Sequence, residues 1–439
     1  MIPTTSHIHD AVMRQQQDVV ALFDALRAGS CVGEGISRDT YGPGEQFAHQ
    51  LIEARAAALG VETRRDHAAN LYMTLTGKDR SAPCLMTGSH LDSVANGGNF
   101  DGAAGVVAGL VAIRALQHLG LRPNCDITSV AIRAEESVWF QVSYIGSRSA
   151  FGVLPAGALE AQRVDTGRTL AEHMADCGAS AEAVRRGEAS LDARSIRAFV
   201  ELHIEQAPQL LEAGFPIGIG TGVPGNFRYP RLRILGEYAH VGLPRRFRRD
   251  AVLAASEFAV GLDEIWKMSD ASGRPMAFTI GRFHTDPQEH ALTKVAGELI
   301  LSLDVRAYSA AHLAELEALV LDLAREVGEK RGVFFEFGAR TSADAAPSHP
   351  ELVATLTDCA KALGIPTLPL ASPASHDTAT FSLAGVPSAM LFVRNANGSH
   401  NPREAMEIED FLQGASVLTG WLVAEATAPQ RRASPRTQV

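Results

Sequence analysis

The sequence predicts an α/β protein in which a doubly wound α/β layer is interrupted by an inserted α+β domain. Three observations carry that expectation. An apolar run at 84–87 leads through a glycine-rich turn into a helical pattern at 105–119 and then a second strand-like run at 126–132, the strand, loop, helix, strand order of a doubly wound layer. After Gly222 the texture changes to longer strand patterns interleaved with helices, and from about Thr341 it returns to α/β spacing. The layer is therefore expected to occupy residues 1–222 and 341–439 and the insert residues 223–340, which suits a 439-residue chain at roughly 100–200 residues per domain.

Taken in order, residues 10–27 read as a helix, and residues 45–59 as another that Gly60 ends. Residues 61–76 alternate as strands. The buried strand at 85–87 feeds the helix at 105–119, which Gly120 stops, and 126–132 is the next strand. In the insert, 229–236, 277–282 and 298–306 read as strands and 250–268 and 310–330 as helices. A helix at 350–363, a short strand at 389–392 and a closing helix at 408–424 complete the layer. Only 427–439, rich in Pro, Arg and Ser, is biased enough to predict disorder.

Composition narrows the function. A net charge of −10 argues against a nucleic-acid surface, because phosphate binding draws on clustered Lys and Arg, and so favours a small-molecule substrate. Five scattered cysteines (31, 84, 125, 177, 359) with no CxxC spacing suggest neither a disulfide framework nor a thiolate zinc site, and point to a reducing, cytoplasmic setting. Residues 1–10 carry no apolar stretch of signal-peptide type, and no segment reaches the ~18 uninterrupted apolar residues of a membrane span.

The chemistry concentrates at strand ends. Gly88-Ser89-His90-Leu91-Asp92-Ser93-Val94 and Gly97-Gly98-Asn99-Phe100-Asp101-Gly102 place His90, Asp92 and Asp101 around a turn that glycines let fold tightly. Glu135-Glu136 follows the strand at 126–132, His203 lies in Leu202-His203-Ile204-Glu205-Gln206, and His400 in Gly398-Ser399-His400-Asn401-Pro402. Imidazoles and carboxylates together suit Zn²⁺, Mn²⁺, Co²⁺ or Ni²⁺, and one shared Asp can bridge two ions at ~3.5–4 Å. A two-metal hydrolase is the natural reading.

These five motifs, in this order, resemble those of the M20 metallopeptidase superfamily, and within it the hydantoinase/carbamoylase branch of N-carbamoyl-L-amino-acid hydrolases, β-ureidopropionases and allantoate amidohydrolases. The resemblance spans about residues 14–422. His203 marks the branch, since typical members of the superfamily use a carboxylate at that step. The resemblance implies a zinc-peptidase-like catalytic domain with an inserted lid and dimerisation domain, and two divalent metal ions per subunit. His90, Asp101 and His203 would hold one ion, and Asp101, Glu136 and His400 the other. Asp92 would accept a hydrogen bond from the second ring nitrogen of His90 and fix its tautomer. Glu135 would take a proton from the attacking water and deliver it to the leaving nitrogen.

For substrate recognition the resemblance implies Gln206, His240, Thr293, Arg306 and Ser375. His240, in Gly236-Glu237-Tyr238-Ala239-His240, would polarise the carbonyl oxygen, in several relatives from across a homodimer. Arg306 would bind a substrate carboxylate through its fork, oriented by Asp304. At two positions the chain departs from the family. Thr293 stands where relatives usually carry a substrate-binding Asn, and Ser375, in Ser372-Pro373-Ala374-Ser375-His376-Asp377, replaces a Gly whose backbone meets the substrate. Gly225-Asn226-Phe227-Arg228 and Val138-Trp139-Phe140 are further local differences from typical carbamoylases. The implied activity is hydrolysis of an N-carbamoyl or ureido C–N bond in a small carboxylate substrate. The alternatives are allantoate amidohydrolysis and cleavage of an ordinary amide or dipeptide.

Overall fold

Strand Cys84–His90 is an inner strand of the larger sheet, and all its residues after Cys84 are buried because both faces of the sheet are covered there. A computed structural model describes residues 3–427. Two parallel neighbours flank this inner strand: Ile127–Ile132, in the register Gly88↔Val130 and His90↔Ile132, and Ile196–Ile204, in the register Thr87↔Val200. Ser388–Val393 runs parallel to Ile196–Ile204 on its far side and places Phe392 opposite His203. The sheet is mixed. Leu71–Leu75 and Glu62–Arg65 form a hairpin running antiparallel to Ile127–Ile132, and Ile217–Val223 is antiparallel to Ser388–Val393.

Helix Ala103–His118 follows that inner strand, and it is buried without interruption from Ala103 to Ile113. A helix apolar on every side must be covered on every side. It packs on Cys84–His90 and under helices Ile408–Thr427 and Thr5–Met13, in a core that includes Val107, Leu110, Leu412 and Trp421. The helix expected at 10–27 is instead two helices, Thr5–Met13 and Gln16–Ser30. At the break, the buried Gln15 side chain donates to the carbonyls of Ala11 and Val111 at 3.1 and 3.0 Å. A side-chain amide thus ties the helix join to the core, which periodicity does not register.

The chain divides into two units, Met1–Gly222 with Ser348–Val439, and Val223–Pro347. The return from the insert falls at Ser348 rather than Thr341, because Thr341–Ala343 pairs with Asn226 to Arg228 inside the insert's own sheet. That sheet is antiparallel, in the order Met276–His284, Glu298–Ala307, Gly225–Leu235, Phe334–Glu336. Glu298–Ala307 alternates half-buried and buried residues without a break. Its buried face packs with helices Ala251–Ala271 and Ala310–Arg331 around Phe258, Leu301, Leu303 and Val320. All five cysteines are free. Among the described residues no helix is long and apolar enough to cross a membrane. Past Thr427, the biased tail lies outside the described residues.

Candidate metal centre

Neighbouring parallel strands carry His90 and His203 to the same end of the sheet, and the turn after Cys84–His90 brings Asp101 to meet them. His90 Nε2 lies 3.4 Å and His203 Nε2 3.3 Å from Asp101 Oδ1, and the two Nε2 atoms are 3.4 Å apart. On the other side of the same carboxylate, His400 Nε2 lies 3.7 Å from Asp101 Oδ2 and 3.2 Å from Glu136 Oε1. Two donor groups therefore share Asp101: His90, Asp101 and His203, and Asp101, Glu136 and His400. Ligand atoms arranged tetrahedrally at ~2.0–2.2 Å from an ion sit roughly 3.3–3.6 Å apart. Most of these separations match that spacing, and the donor chemistry is of the nitrogen and oxygen type that first-row divalent ions take.

Both buried imidazoles are oriented by their second nitrogen. His203 Nδ1 lies 2.9 Å from the Ile204 carbonyl oxygen. His90 Nδ1 lies 3.0 Å from the backbone carbonyl of Asp92 and 3.3 Å from its Oδ1, so Asp92 meets this ring through main chain and side chain together. The Asp92 carboxylate does more than this. It accepts from Glu135 N at 3.0 Å, Glu136 N at 3.1 Å and Thr40 Oγ1 at 2.6 Å, which ties the Glu pair to the His90 loop.

Gly102 has to be glycine. Its φ is +65°, and a Cβ would come 2.5 Å from the His90 ring. Left-handed backbone recurs at non-glycine positions around the centre, at Ala134, Tyr144 and His400, with φ of 58°, 58° and 61°. Such conformations persist where the surrounding structure holds them. The buried Arg133–Glu45 pair holds the segment before the Glu pair, with Glu45 Oε2 3.0 Å from Arg133 Nη1 and Oε1 accepting from Ala134 N at 2.9 Å.

Glu135 stands outside both donor groups, with Oε2 4.0 Å from His90 Nε2. Burial pushes its carboxyl well above the ordinary carboxylate range against the pull of His90, and Glu136 and Asp377 add to the rise. His400, its side chain 48% exposed, is raised to about 9 chiefly by its hydrogen bond to Glu136. Gln206, read above as a substrate residue, donates Nε2 to Asp101 Oδ2 at 2.8 Å. Ser375, half-buried, interacts with the phenol of the half-buried Tyr144.

His240, Thr293 and Arg306 belong to the second unit. His240 is exposed, pairs across a short antiparallel ladder with Lys294, and accepts from Gly242 N at Nδ1, 3.0 Å away. Thr293 is exposed and its carbonyl accepts from Val241 N at 2.7 Å. Arg306 lends Nε and Nη2 to Asp304 at 3.2 and 3.3 Å, and Asp304 also takes Arg228 at 2.7 Å. That occupies one edge of the Arg306 fork.

Around the centre, Arg38, Glu404 and Glu201 carry no local sequence signal, while Asp377 closes the motif at 372–377. The buried Arg38 and Glu404 grip the Asp101 turn, Glu201 accepts from Ser89 Oγ at 2.7 Å and from Thr378 N at 2.9 Å, and Asp377 accepts from Ser147 Oγ at 2.5 Å. Burial and Glu201 push Asp377 up to about 8.

A strand-end cluster of three imidazoles with carboxylates, two donor groups sharing one aspartate and an acid beside them is the equipment of a metal-dependent hydrolase. The chain belongs to peptidase family M20/M25/M40, whose pattern it matches over residues 86–424. It is 32% identical over 410 residues to the N-carbamoyl-L-amino acid amidohydrolase of Geobacillus stearothermophilus, covering 92% of this chain and 97% of that protein. It is 31% identical over 388 residues to the allantoate amidohydrolase of Escherichia coli (strain K12), covering 88% and 91%. Among solved structures it resembles an amidase of the hydantoinase/carbamoylase family from Burkholderia multivorans, with TM-score 0.83, 26% identity, and 94% and 98% coverage.

Proposed function

We propose that this chain hydrolyses a linear C–N bond of an N-carbamoyl or ureido group in a small carboxylate-bearing substrate, such as an N-carbamoyl-L-amino acid. The observation that carries this is the pair of donor groups sharing Asp101, with His203 in place of a carboxylate and Glu135 beside them but in neither. Full-length similarity to an N-carbamoyl-L-amino acid amidohydrolase supports the substrate class. His90, Asp101, Glu136, His203 and His400 would hold two divalent ions, Zn²⁺ or one of Mn²⁺, Co²⁺ and Ni²⁺, which when bound supply Lewis acidity toward the carbonyl and lower the pKa of water. Asp92 aligns His90 and the backbone of the Glu pair. Glu135 accepts the proton of the attacking water and returns it to the leaving nitrogen, a task helped by a carboxyl that burial holds above the ordinary carboxylate range. Arg306 binds the substrate carboxylate with the edge that Asp304 leaves open, and His240 donates to the carbonyl oxygen as charge develops there.

Allantoate is the second reading, on the strength of the Escherichia coli relative, and Thr293 and Ser375 bear on the choice. Metal-loaded protein offered N-carbamoyl-L-amino acids, N-carbamoyl-β-alanine, allantoate and dipeptides should release ammonia from the first group fastest. Hydrolysis confined to dipeptides would overturn the assignment. The working assembly is a homodimer in the cytoplasm, with His240 serving the partner's centre. Light scattering should give twice the chain mass, and mixed dimers of Glu135→Gln and His240→Ala chains should regain activity by restoring one intact site. Verified mixed dimers that stay inactive would restrict His240 to its own chain.

A further inference from the structure

The Asn99-Phe100-Asp101 turn is held on two sides by buried groups of opposite charge that come from distant parts of the chain. Arg38, fully buried, donates Nε to the Leu91 carbonyl at 2.6 Å, Nη1 to the Asn99 carbonyl and side-chain oxygen at 3.3 Å each, and Nη2 to the Asp101 carbonyl at 3.2 Å. Glu404, also buried, takes the amides: Oε1 accepts from Phe100 N at 2.7 Å and Asp101 N at 3.2 Å. Its other oxygen, Oε2, lies 2.9 Å from Ser399 Oγ, and the Ser399 hydroxyl also meets Asp101 Oδ2. Carbonyls of the turn thus face a cation and its amides an anion, each with the partner that makes the stronger hydrogen bond. The fit is close: a Cβ on Gly98 would lie 2.2 Å from the Glu404 side chain, so the second glycine of Gly97-Gly98 makes room for this carboxylate.

What Glu404 joins is specific. Asp101 is the residue common to both donor groups, and Ser399 precedes His400, which lies on the Oδ2 side of Asp101. We propose that Glu404 is a positioning residue that, with Ser399 as its link and Arg38 as its counter-charge, locks the Asp101 turn and the His400 loop into one unit and so sets the affinity for the ion held by Asp101, Glu136 and His400. This rests on the ligand assignment given above. Partners that orient metal ligands typically contribute ~10–100-fold to metal affinity. Glu404→Gln keeps the volume and one amide-accepting oxygen but removes the charge. Ser399→Ala removes only the link.

The test is calorimetric titration of chelator-stripped protein with Zn²⁺ and with Mn²⁺, for wild type, Glu404→Gln, Ser399→Ala and His203→Ala, beside thermal melts of the stripped proteins. Wild type should bind two ions, and Glu404→Gln and Ser399→Ala should lose ~10–100-fold in affinity for one of them. Their stripped-protein Tm should stay close to wild type, and excess metal should restore their activity. A purely structural Glu404 would instead lower the Tm of the stripped protein and leave the isotherm of the folded protein unchanged. If Glu404→Gln folds poorly, Ser399→Ala decides. If His203→Ala loses binding while the Glu404 and Ser399 variants bind as wild type, the positioning role is wrong and the ligand assignment stands. If His203→Ala also binds as wild type, the ligand assignment fails and this role falls with it.

Discussion

Glu135→Gln protein is expected to keep its full complement of metal and to lose at least ~10²–10⁴-fold in kcat, the range set by removal of a general acid/base. At ~1.36 kcal/mol per decade, that is about 2.7–5.4 kcal/mol of transition-state stabilisation. The geometry separates this loss from damage to the metal centre. Glu135 Oε2 is 4.0 Å from His90 Nε2 and belongs to neither donor group, and the backbone amide of Glu135 is held by Asp92 whatever its side chain. The substitution keeps the size and one accepting oxygen but removes the negative charge and with it the ability to carry a proton. Metal analysis and kcat on the same preparation check it. Near wild-type turnover would remove the role, and a fall in bound metal would make Glu135 structural.

His203→Ala should fail in the opposite way, through metal content. His203 Nε2 meets Asp101 Oδ1 at 3.3 Å, and its ring is fully buried against His376 at a centroid distance of 4.4 Å. Losing a ligand should cost more than the ~10–100-fold that supporting partners contribute, so bound metal should drop to at most one ion per chain. A ligand that binds only the folded state stabilises it by about 2.7 kcal/mol at 100 times its Kd, so metal should raise the wild-type Tm more than that of the variant. Equal metal content and equal metal-dependent Tm shifts would sink the assignment.

The sequence alone determined the parts of this protein that depend on neighbours along the chain. Apolar period placed the strands at 84–90 and 127–132 and the helix between them to within a few residues, because burial of a face leaves its repeat in the local composition. The five motifs contain every member of the two donor groups, since each of these residues sits at or beyond a strand or in a turn whose glycines or neighbours mark it. Tertiary structure decided what pairing across distance controls. Thr341–Ala343 has no apolar pattern, and only its ladder with Asn226 to Arg228 assigns it to the insert. Gln206 donates to Asp101, a contact across 105 positions that its own motif does not announce. Glu404 reaches Phe100 across 304 positions and Arg38 reaches Asp101 across 63. A buried charge needs a partner but sets no spacing at which that partner must occur, so nothing in the linear order announces these contacts before the chain has folded.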